Sequence, residues 1–563
     1  MKRTSRVLAI LLALAMLLSV TAFAAWDVYG GNANHNSVVS GAPTNANPSV
    51  TSIDLSNGGS GWDGIDNVPV METVNGTTYA YVLYDGYSSY GGQLAKINCS
   101  AATPYVVWRK QVSAAAGFQL STPYLDTTNR AIYIGASNAS VYNNVAISSP
   151  VALTAGTAGT VTIGGLSLLT AANRVSVPVY VGHTSVADRG TLTTEGTATI
   201  QLGGGTAVNL TLSTTQASSG TTYKIYEQAT YDADGNVNGY DYYYYINHSV
   251  TASSLTDATL SISVTLNGTG SITSVSMFAN KGAVTKVTGI DSTDASGVTL
   301  TSVVSSVNGQ INTPITRYGD YIYFGTWSGN SAMQYYQVKV SDSSFTTKTM
   351  TGNAGFYWAG AVKVGSYIYF GGDAGNLYYR RISKFDTTGG VVALTDKASD
   401  AGNVRSTIMT DGTNLYFTSQ GKYLWCYQPD ANGVPVYQWH IQLAGTSTST
   451  PTLVQNSDGT TSIYTGYYSG FSDGGVQVTT VSGSTQTIAT VASGFPVQCS
   501  ILYSNGYVYF NTNASGGAGY CYNAATGTQV WATTADTYAL GGMACDNGII
   551  VFGNDYDHLY VVK

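Results

Sequence analysis

Tyr321-Ile322-Tyr323-Phe324-Gly325 and Tyr367-Ile368-Tyr369-Phe370-Gly371 are one phrase written twice, and the fold is read from how often it returns. Working outward finds Gly76 to Leu83, Ala131-Ile132-Tyr133-Ile134-Gly135, Asn414-Leu415-Tyr416-Phe417, Ser462-Ile463-Tyr464-Thr465-Gly466, Tyr507-Val508-Tyr509-Phe510 and Ile549-Ile550-Val551-Phe552-Gly553, a set of eight. The central positions 323, 369, 416, 464, 509 and 551 are separated by 46, 47, 48, 45 and 42 residues, and positions 81 and 133 by 52. Tyr alternating with Ile or Val suits a strand sandwiched between two apolar surfaces. A period in the forties with several strands and no helical pattern marks four-stranded sheets repeated about an axis. The expected fold class is all-β, an eight-bladed β-propeller.

Each repeat opens on a Thr-Pro-like strand: Ser121-Thr122-Pro123, Asn312-Thr313-Pro314 and Ser449-Thr450-Pro451 are examples. A turn, the Tyr-rich strand, a third strand, another turn and a strand that can end in Trp follow. The last repeat stops after its third strand, at Leu559 to Val562. Its outer strand is therefore expected from the N-terminal segment near Val50 to Leu55, which leaves no exposed edge between first and last blades.

The segment Cys521-Tyr522-Asn523-Ala524-Ala525-Thr526-Gly527-Thr528-Gln529-Val530-Trp531 resembles the phrase of pyrroloquinoline-quinone (PQQ) repeat proteins, in which an aliphatic strand passes through an Ala-x-Thr-Gly turn to a tryptophan. Trp108 and Trp439 stand at the matching place in two other repeats. Trp26-Asp27-Val28-Tyr29-Gly30-Gly31-Asn32-Ala33-Asn34-His35 resembles the leader that precedes the first blade in such proteins. The resemblance, to quinoprotein alcohol dehydrogenase-like propellers, covers nearly all the chain after its N-terminal leader except one insertion. It implies a fold rather than an activity, with the tryptophans packed between blades.

The insertion shows in the step from 133 to 323, which is 190 residues, one period of about 46 plus roughly 144 more. Alternating β-runs at Val177 to Val181, Ala198 to Leu202, Thr222 to Tyr226, Tyr240 to Ile246 and Thr259 to Leu266 suggest an immunoglobulin-like β-sandwich placed between the second and third strands of one blade. Asp232-Ala233-Asp234-Gly235-Asn236-Val237-Asn238-Gly239 offers oxygens at alternate positions, as calcium loops do, but lacks the later bidentate acid and reads as an Asp-Gly hairpin turn. Tyr242-Tyr243-Tyr244-Tyr245 would put Tyr on both faces of a strand. The expected organisation is a signal peptide at 1–24, propeller at 25–142, sandwich at 143–281 and propeller again at 282–563.

Lys2, Arg3 and Arg6, the apolar run from Val7 to Val20 and Ala22-Phe23-Ala24 form the pattern of a secretory signal peptide. Secretion to the extracellular space or cell surface is the expectation, with no membrane span after cleavage. The formal charge is -7, and losing the three leader cations from 23 basic residues against 30 acidic ones makes it 20 minus 30, or -10. Such a chain is a poor nucleic-acid binder. Charged residues are 9% of the chain, far below the roughly 25% of ordinary domains, and neutral polar residues with 44 Tyr replace them. The odd count of five Cys, without a CxxC, is a weak basis for a disulfide framework.

Quinoprotein dehydrogenases of the resembling fold hold their cofactor under vicinal cysteines, and no Cys-Cys pair occurs here, nor a CxxCH. His35, His183, His248, His440 and His558 are scattered, without HxH or HExxH spacing, and no GxSxG elbow exists. No cofactor, metal ligand or catalytic residue is therefore expected. In a propeller the residues just before the Thr-Pro-like positions line the channel mouth. These are Gln119, Gln310, Trp358, Arg405, Thr448 and Gln498, a mixture of amides, one aromatic and one cation suited to a sugar or a peptide end. The expected function is a monomeric, non-catalytic binding or adhesion scaffold whose partner is an extracellular glycan or protein. The alternatives are an enzyme at the channel, a divergent quinoprotein or a polysaccharide lyase or hydrolase, which converging carboxylates would favour, and an envelope protein assembly factor.

Overall fold

A computed structural model describes residues 25–563 except 57–63, 87–90, 113–119, 137–139, 143–144, 146, 169–171, 215–222, 280, 329–331 and 351. The leader at 1–24 and the candidate Gln119 lie outside the described residues. The chain is all-β: its elements are strands and a few 3-10 turns, and no described helix is long and apolar enough to cross a membrane. Asn138–Lys281 forms one compact unit, and the residues on either side of it form the other.

The larger unit contains eight sheets among its described residues, antiparallel but for one short parallel pairing. In chain order their second strands are Thr77–Gly86, Ala131–Ala136, Tyr321–Trp327, Tyr367–Gly372, Leu415–Ser419, Thr461–Ser469, Tyr507–Asn511 and Ile549–Gly553. These carry the recurring phrase, and burial explains its spelling. Ala131–Ala136, Leu415–Ser419 and Ile549–Gly553 are buried at every residue, whereas outer strands such as Pro435–Gln442 alternate between covered and open. A strand covered on both faces needs apolar residues at successive positions. Ile368 and Phe370 join the core shared with the third sheet, and Tyr369 the core shared with the fifth. Ile132 and Ile134 face the first sheet while Tyr133 faces the third, and Val508, Phe510 and Tyr509 divide the same way.

Tyr serves the second face because its hydroxyl reaches a polar partner beyond the core. Tyr369 donates to the carbonyl of Gly433 at 2.9 Å, Tyr416 to Asp411 Oδ2 at 3.0 Å, and Tyr323 accepts from Gln337 Nε2 at 3.0 Å. The Gly that ends the phrase answers to close approach. A Cβ on Gly371 would lie 2.2 Å from Val404 Cγ1, and one on Gly325 2.6 Å from Phe356 Cβ. Asn75-Gly76, Asn505-Gly506 and Asn547-Gly548 have positive φ at both residues, as two-residue hairpin turns require.

Consecutive sheets share hydrophobic clusters throughout: first with second, second with third, and so on to seventh with eighth. One cluster then joins Ile550 and Val561 of the eighth to Val82 and Ile97 of the first. Trp108 and Trp531 are buried in such clusters. The strand Val50–Asp54 pairs antiparallel with His558–Val562, completing the eighth sheet as its missing outer strand.

The segment before that strand touches the other seven sheets in turn. Trp26 O accepts from Met71 N, Asp27 O from Leu125 N and Ala33 O from the Tyr318 hydroxyl, at 2.8, 2.7 and 2.8 Å. His35 Nε2 lies 2.9 Å from Ala361 O, and Asn34 O accepts from Thr410 N at 3.1 Å. Asn36 Nδ2 donates to Leu453 O, its Oδ1 accepts from Leu453 N, and Val38–Val39 pairs in parallel with Tyr503 and Ser504.

Among its described residues the smaller unit holds a seven-stranded and a four-stranded sheet. Their buried residues form one core that includes Val177, Val179, Ile200, Tyr244, Ile262 and Val264. Ala258–Leu266 alternates buried and open residues along its length. In the Tyr run, Tyr242 and Tyr244 enter that core, while Tyr245 is exposed and Tyr243 packs edge-on to Tyr180. Asp232 Oδ1 accepts from the backbone N–H of Asp234 and Asn236, which makes this loop a turn closed on its own backbone. All five cysteines are buried thiols with no disulfide.

Candidate functional site

Thr and Ser at the Thr-Pro-like positions stitch the sheets together where their first strands begin. Thr122 Oγ1 accepts from Val68 N at 3.1 Å, Thr450 Oγ1 from Thr407 N at 3.0 Å, and Thr448 Oγ1 donates to Gln498 O at 3.0 Å. Ser121 Oγ donates to Thr313 O at 2.7 Å. Inside this belt lies a cavity of about 40 Å³, lined by Tyr29, Asn67, Thr122, Pro314, Thr448 and Cys499 among others. It has room for a few waters only. Burial pushes the Cys499 thiol up to about 12, so it is no thiolate nucleophile at neutral pH.

Above it, and sharing Asp66, Leu120, Trp358, Gln498 and Leu540 with it, opens a cleft of about 500 Å³. Tyr357, Tyr468, Phe471, Asn513, Tyr538 and Asp555 complete its walls. This volume is that of a small-ligand site, and its walls are aromatic with few polar groups.

Trp358 is the anchor. Its φ of 55 lies in the left-handed region, which a bulky residue adopts at a cost of about 1–3 kcal/mol. Three hydrogen bonds impose it: Trp358 N–H donates to Asn312 O at 3.1 Å, and its carbonyl accepts from Gly360 N at 2.8 Å and Thr407 Oγ1 at 3.1 Å. The rings of Trp327, Tyr357 and Trp358 follow one another edge to face, with centroids 5.2 and 4.7 Å apart. Across the cleft Phe471, 62% exposed, meets Tyr538 edge-on at 5.8 Å.

Arg405 stands behind this wall. Its Nε and one terminal nitrogen donate to the two oxygens of buried Asp373 at 2.9 and 2.6 Å, and its guanidinium lies 4.8 Å from the Tyr357 ring centre. Burial, with the Asp66 carboxylate nearby, holds the Tyr357 hydroxyl far above the usual phenol range, so it remains a donor at any physiological pH.

Of the residues marked by sequence, Trp358 and Gln498 line the cleft, Thr448 lines the cavity beneath, and Arg405 braces the wall through Tyr357. Gln310 is placed elsewhere, paired across to Trp327 with its Oε1 accepting from Asn312 Nδ2 at 3.3 Å. Asp66 and Leu540 were missed although Asn67-Val68-Pro69 and Gly541-Gly542 occupy the Thr-Pro-like place in the first and eighth repeats. The same register would have marked them. Phe471, Asn513, Tyr538 and Asp555 come from loops with no periodic signal, and Tyr468 stands near the end of the strand Thr461–Ser469, two residues past the closing Gly466 of its phrase.

No family model matches the chain, and no curated protein matches it significantly. Solved structures similar to it include a europium-containing methanol dehydrogenase, 9% identical with 96% of this chain and 89% of that chain covered, at a TM-score of 0.45. BamB from Moraxella catarrhalis is 12% identical over 46% of this chain and 84% of its own, at 0.32. The β-propeller domain of Cps50 (Swd1) from Myceliophteria_thermophila is 11% identical over 50% and 90%, at 0.35.

Proposed function

We propose that the larger unit is an eight-bladed propeller bearing an inserted immunoglobulin-like sandwich, that the protein is secreted, and that it is a non-catalytic scaffold holding an extracellular glycan in the aromatic cleft. The ring reading is supported by hydrophobic clusters that pass from sheet to sheet and return to the first. The single observation that carries the functional reading is the pairing of the strained Trp358 with a cleft whose other aromatic walls are Tyr357, Tyr468, Phe471 and Tyr538. Flat rings stack against the apolar C–H face of a sugar, and the amides of Gln498 and Asn513 meet its hydroxyls. Backbone strain retained at a cleft-lining aromatic points to use rather than to packing.

Tryptophan fluorescence and calorimetric titration of residues 25–563 with oligosaccharides test this reading. Saturable binding is expected, and Trp358→Ala should weaken it tenfold or more, about 1.4 kcal/mol. Absence of binding to every class of oligosaccharide overturns the proposal. A second reading, an enzyme acting on the glycan, is favoured by one observation, that Asp66 and Asp555 face the same cleft. Prolonged incubation decides between them: intact oligosaccharide with binding retained supports the scaffold, and shortened or unsaturated products support the enzyme.

A further inference from the structure

The smaller unit carries an aromatic surface of its own, on the side of its seven-stranded sheet that faces away from the core. Three strands of that sheet, Ala172–Ser185, Val237–Thr251 and Tyr223–Tyr231, lie side by side, the middle one paired to both others. Val177, Val179, Tyr242, Tyr244 and Ile246 point into the core, so strand alternation sends the residues between them to the opposite face. There Tyr180, Tyr243 and Tyr226 form one rung across the three strands, and Pro178, Tyr245 and Lys224 form the next. Tyr226 is 56% exposed and Tyr245 39%. Tyr180 and Tyr243 are half-buried, with ring centres 5.6 Å apart and planes at 65°, so the four rings make a stepped patch rather than a flat plate.

Two features of this patch decide what it fits. Its outward positions hold Tyr, one Pro and polar side chains, and no Leu, Ile, Val, Met or Phe. A protein interface is built around a fully apolar centre. Here the apolar surface belongs almost wholly to phenol rings edged with hydroxyls, and a sugar offers the matching combination of a C–H face and a hydroxyl rim. The charges cancel as well. Lys224 stands on one side of the tyrosines and Asp241 on the other, the latter 3.0 Å from His183 Nδ1. A strongly charged polymer meets repulsion along with attraction on such a face, and a neutral one meets neither.

We infer that this face is a glycan site separate from the cleft of the larger unit, and that it takes a neutral polysaccharide chain laid across the three strands from Tyr226 to Tyr180. The distance across three strands is about 10 Å. One ring holds one sugar weakly, so affinity builds only along a chain that touches several rings at once. A short oligosaccharide is therefore held in the cleft and a polymer on this face.

Affinity electrophoresis of residues 25–563 tests the site, in gels containing hydroxyethyl cellulose, a soluble β-1,3-glucan or galactomannan, with polygalacturonate as the charged comparison. At least one neutral polymer should retard the protein, and polygalacturonate should not. Tyr226→Ala and Tyr245→Ala should each weaken the retardation about tenfold. Both side chains are exposed, so the variants should keep the parent's urea transition. Tyr226→Phe, which keeps the ring, should keep the retardation, and so should Trp358→Ala, which disables only the cleft.

Retardation by no neutral polymer overturns the site. Retardation lost in Trp358→Ala, or unchanged in both Tyr→Ala variants, returns all binding to the cleft and overturns it too, leaving the cleft reading intact. Polymer retardation that depends on Tyr226 and Tyr245, in a protein that binds no short oligosaccharide, supports this face and removes the cleft. A parent that sediments as a dimer and a Tyr226→Ala variant that sediments as a monomer would make the face a contact between copies of the chain, and would overturn the glycan as its occupant.

Discussion

At Trp358 stability and use pull apart. Its left-handed backbone costs about 1–3 kcal/mol, and glycine would adopt it freely. Trp358→Gly is expected to leave the urea-unfolding free energy within about 1 kcal/mol of the parent, the lost ring contacts offsetting the relieved strain, while ligand binding disappears. A large fall in stability with binding retained would make the ring a packing group. Asp27 shows a second conflict. Burial raises its carboxyl to about 6, with Asp126 adding to the shift. The folded state thus holds a proton that the unfolded state releases from about pH 3.8 upward, so stability is lost between there and about pH 6 and stays lost above it. The upper bound is about 3 kcal/mol, and because the side chain is only partly buried, about 1–2 is expected. Asp27→Asn should accordingly raise the unfolding free energy at pH 7 and leave it unchanged at pH 3.5, as chemical denaturation at the two pH values would read.

Strands and loops of this chain differ in how openly the sequence declares them. The second strands were legible because each must satisfy two neighbouring cores at once, which favours Tyr alternating with Ile, Val or Phe in most of them and a closing Gly in five. The same constraint makes Gly371→Ala costly: with Val404 Cγ1 2.2 Å from the added methyl, overpacking of about 1–3 kcal/mol should appear in the unfolding midpoint. The site was half legible. Trp358, Thr448 and Gln498 follow from the Thr-Pro register, but Gln310 was drawn instead into a strand pairing with Trp327, and the loop aromatics obey no period. Phe471, Asn513, Tyr538 and Asp555 stand outside the repeated strands, so the rule that spells those strands does not reach them. Thr407 links the two classes of element. It anchors the Trp358 carbonyl and also accepts from Gly360 N at 3.2 Å. Thr407→Val should cost about 1–3 kcal/mol through unsatisfied buried groups. It should also weaken glycan binding by loosening Trp358, whereas Thr407→Ser should restore both.

For the larger unit as a whole, the segment from Trp26 to Asp54 is the one that touches every sheet among the described residues. From Trp26 to Asp54 it bonds to the first through eighth sheets in order, ending as the outer strand beside His558–Val562. Clusters between neighbouring sheets hold each joint separately, whereas the segment from Trp26 to Asp54 ties distant joints together and covers the edge of the last sheet. Each of its hydrogen bonds contributes about 1 kcal/mol net, and the open edge it conceals is a site for pairing between chains. A chain beginning at Ser56 should therefore unfold at lower denaturant, lose cooperativity as sheets separate in sequence, and associate at micromolar concentration. Adding a synthetic peptide of residues 25–55 in excess should return the parent's association state and transition, since every contact it makes is non-covalent. Light scattering with urea melts measures both. A truncated chain that stays monomeric and melts with the parent's single transition would show that the clusters alone close the unit.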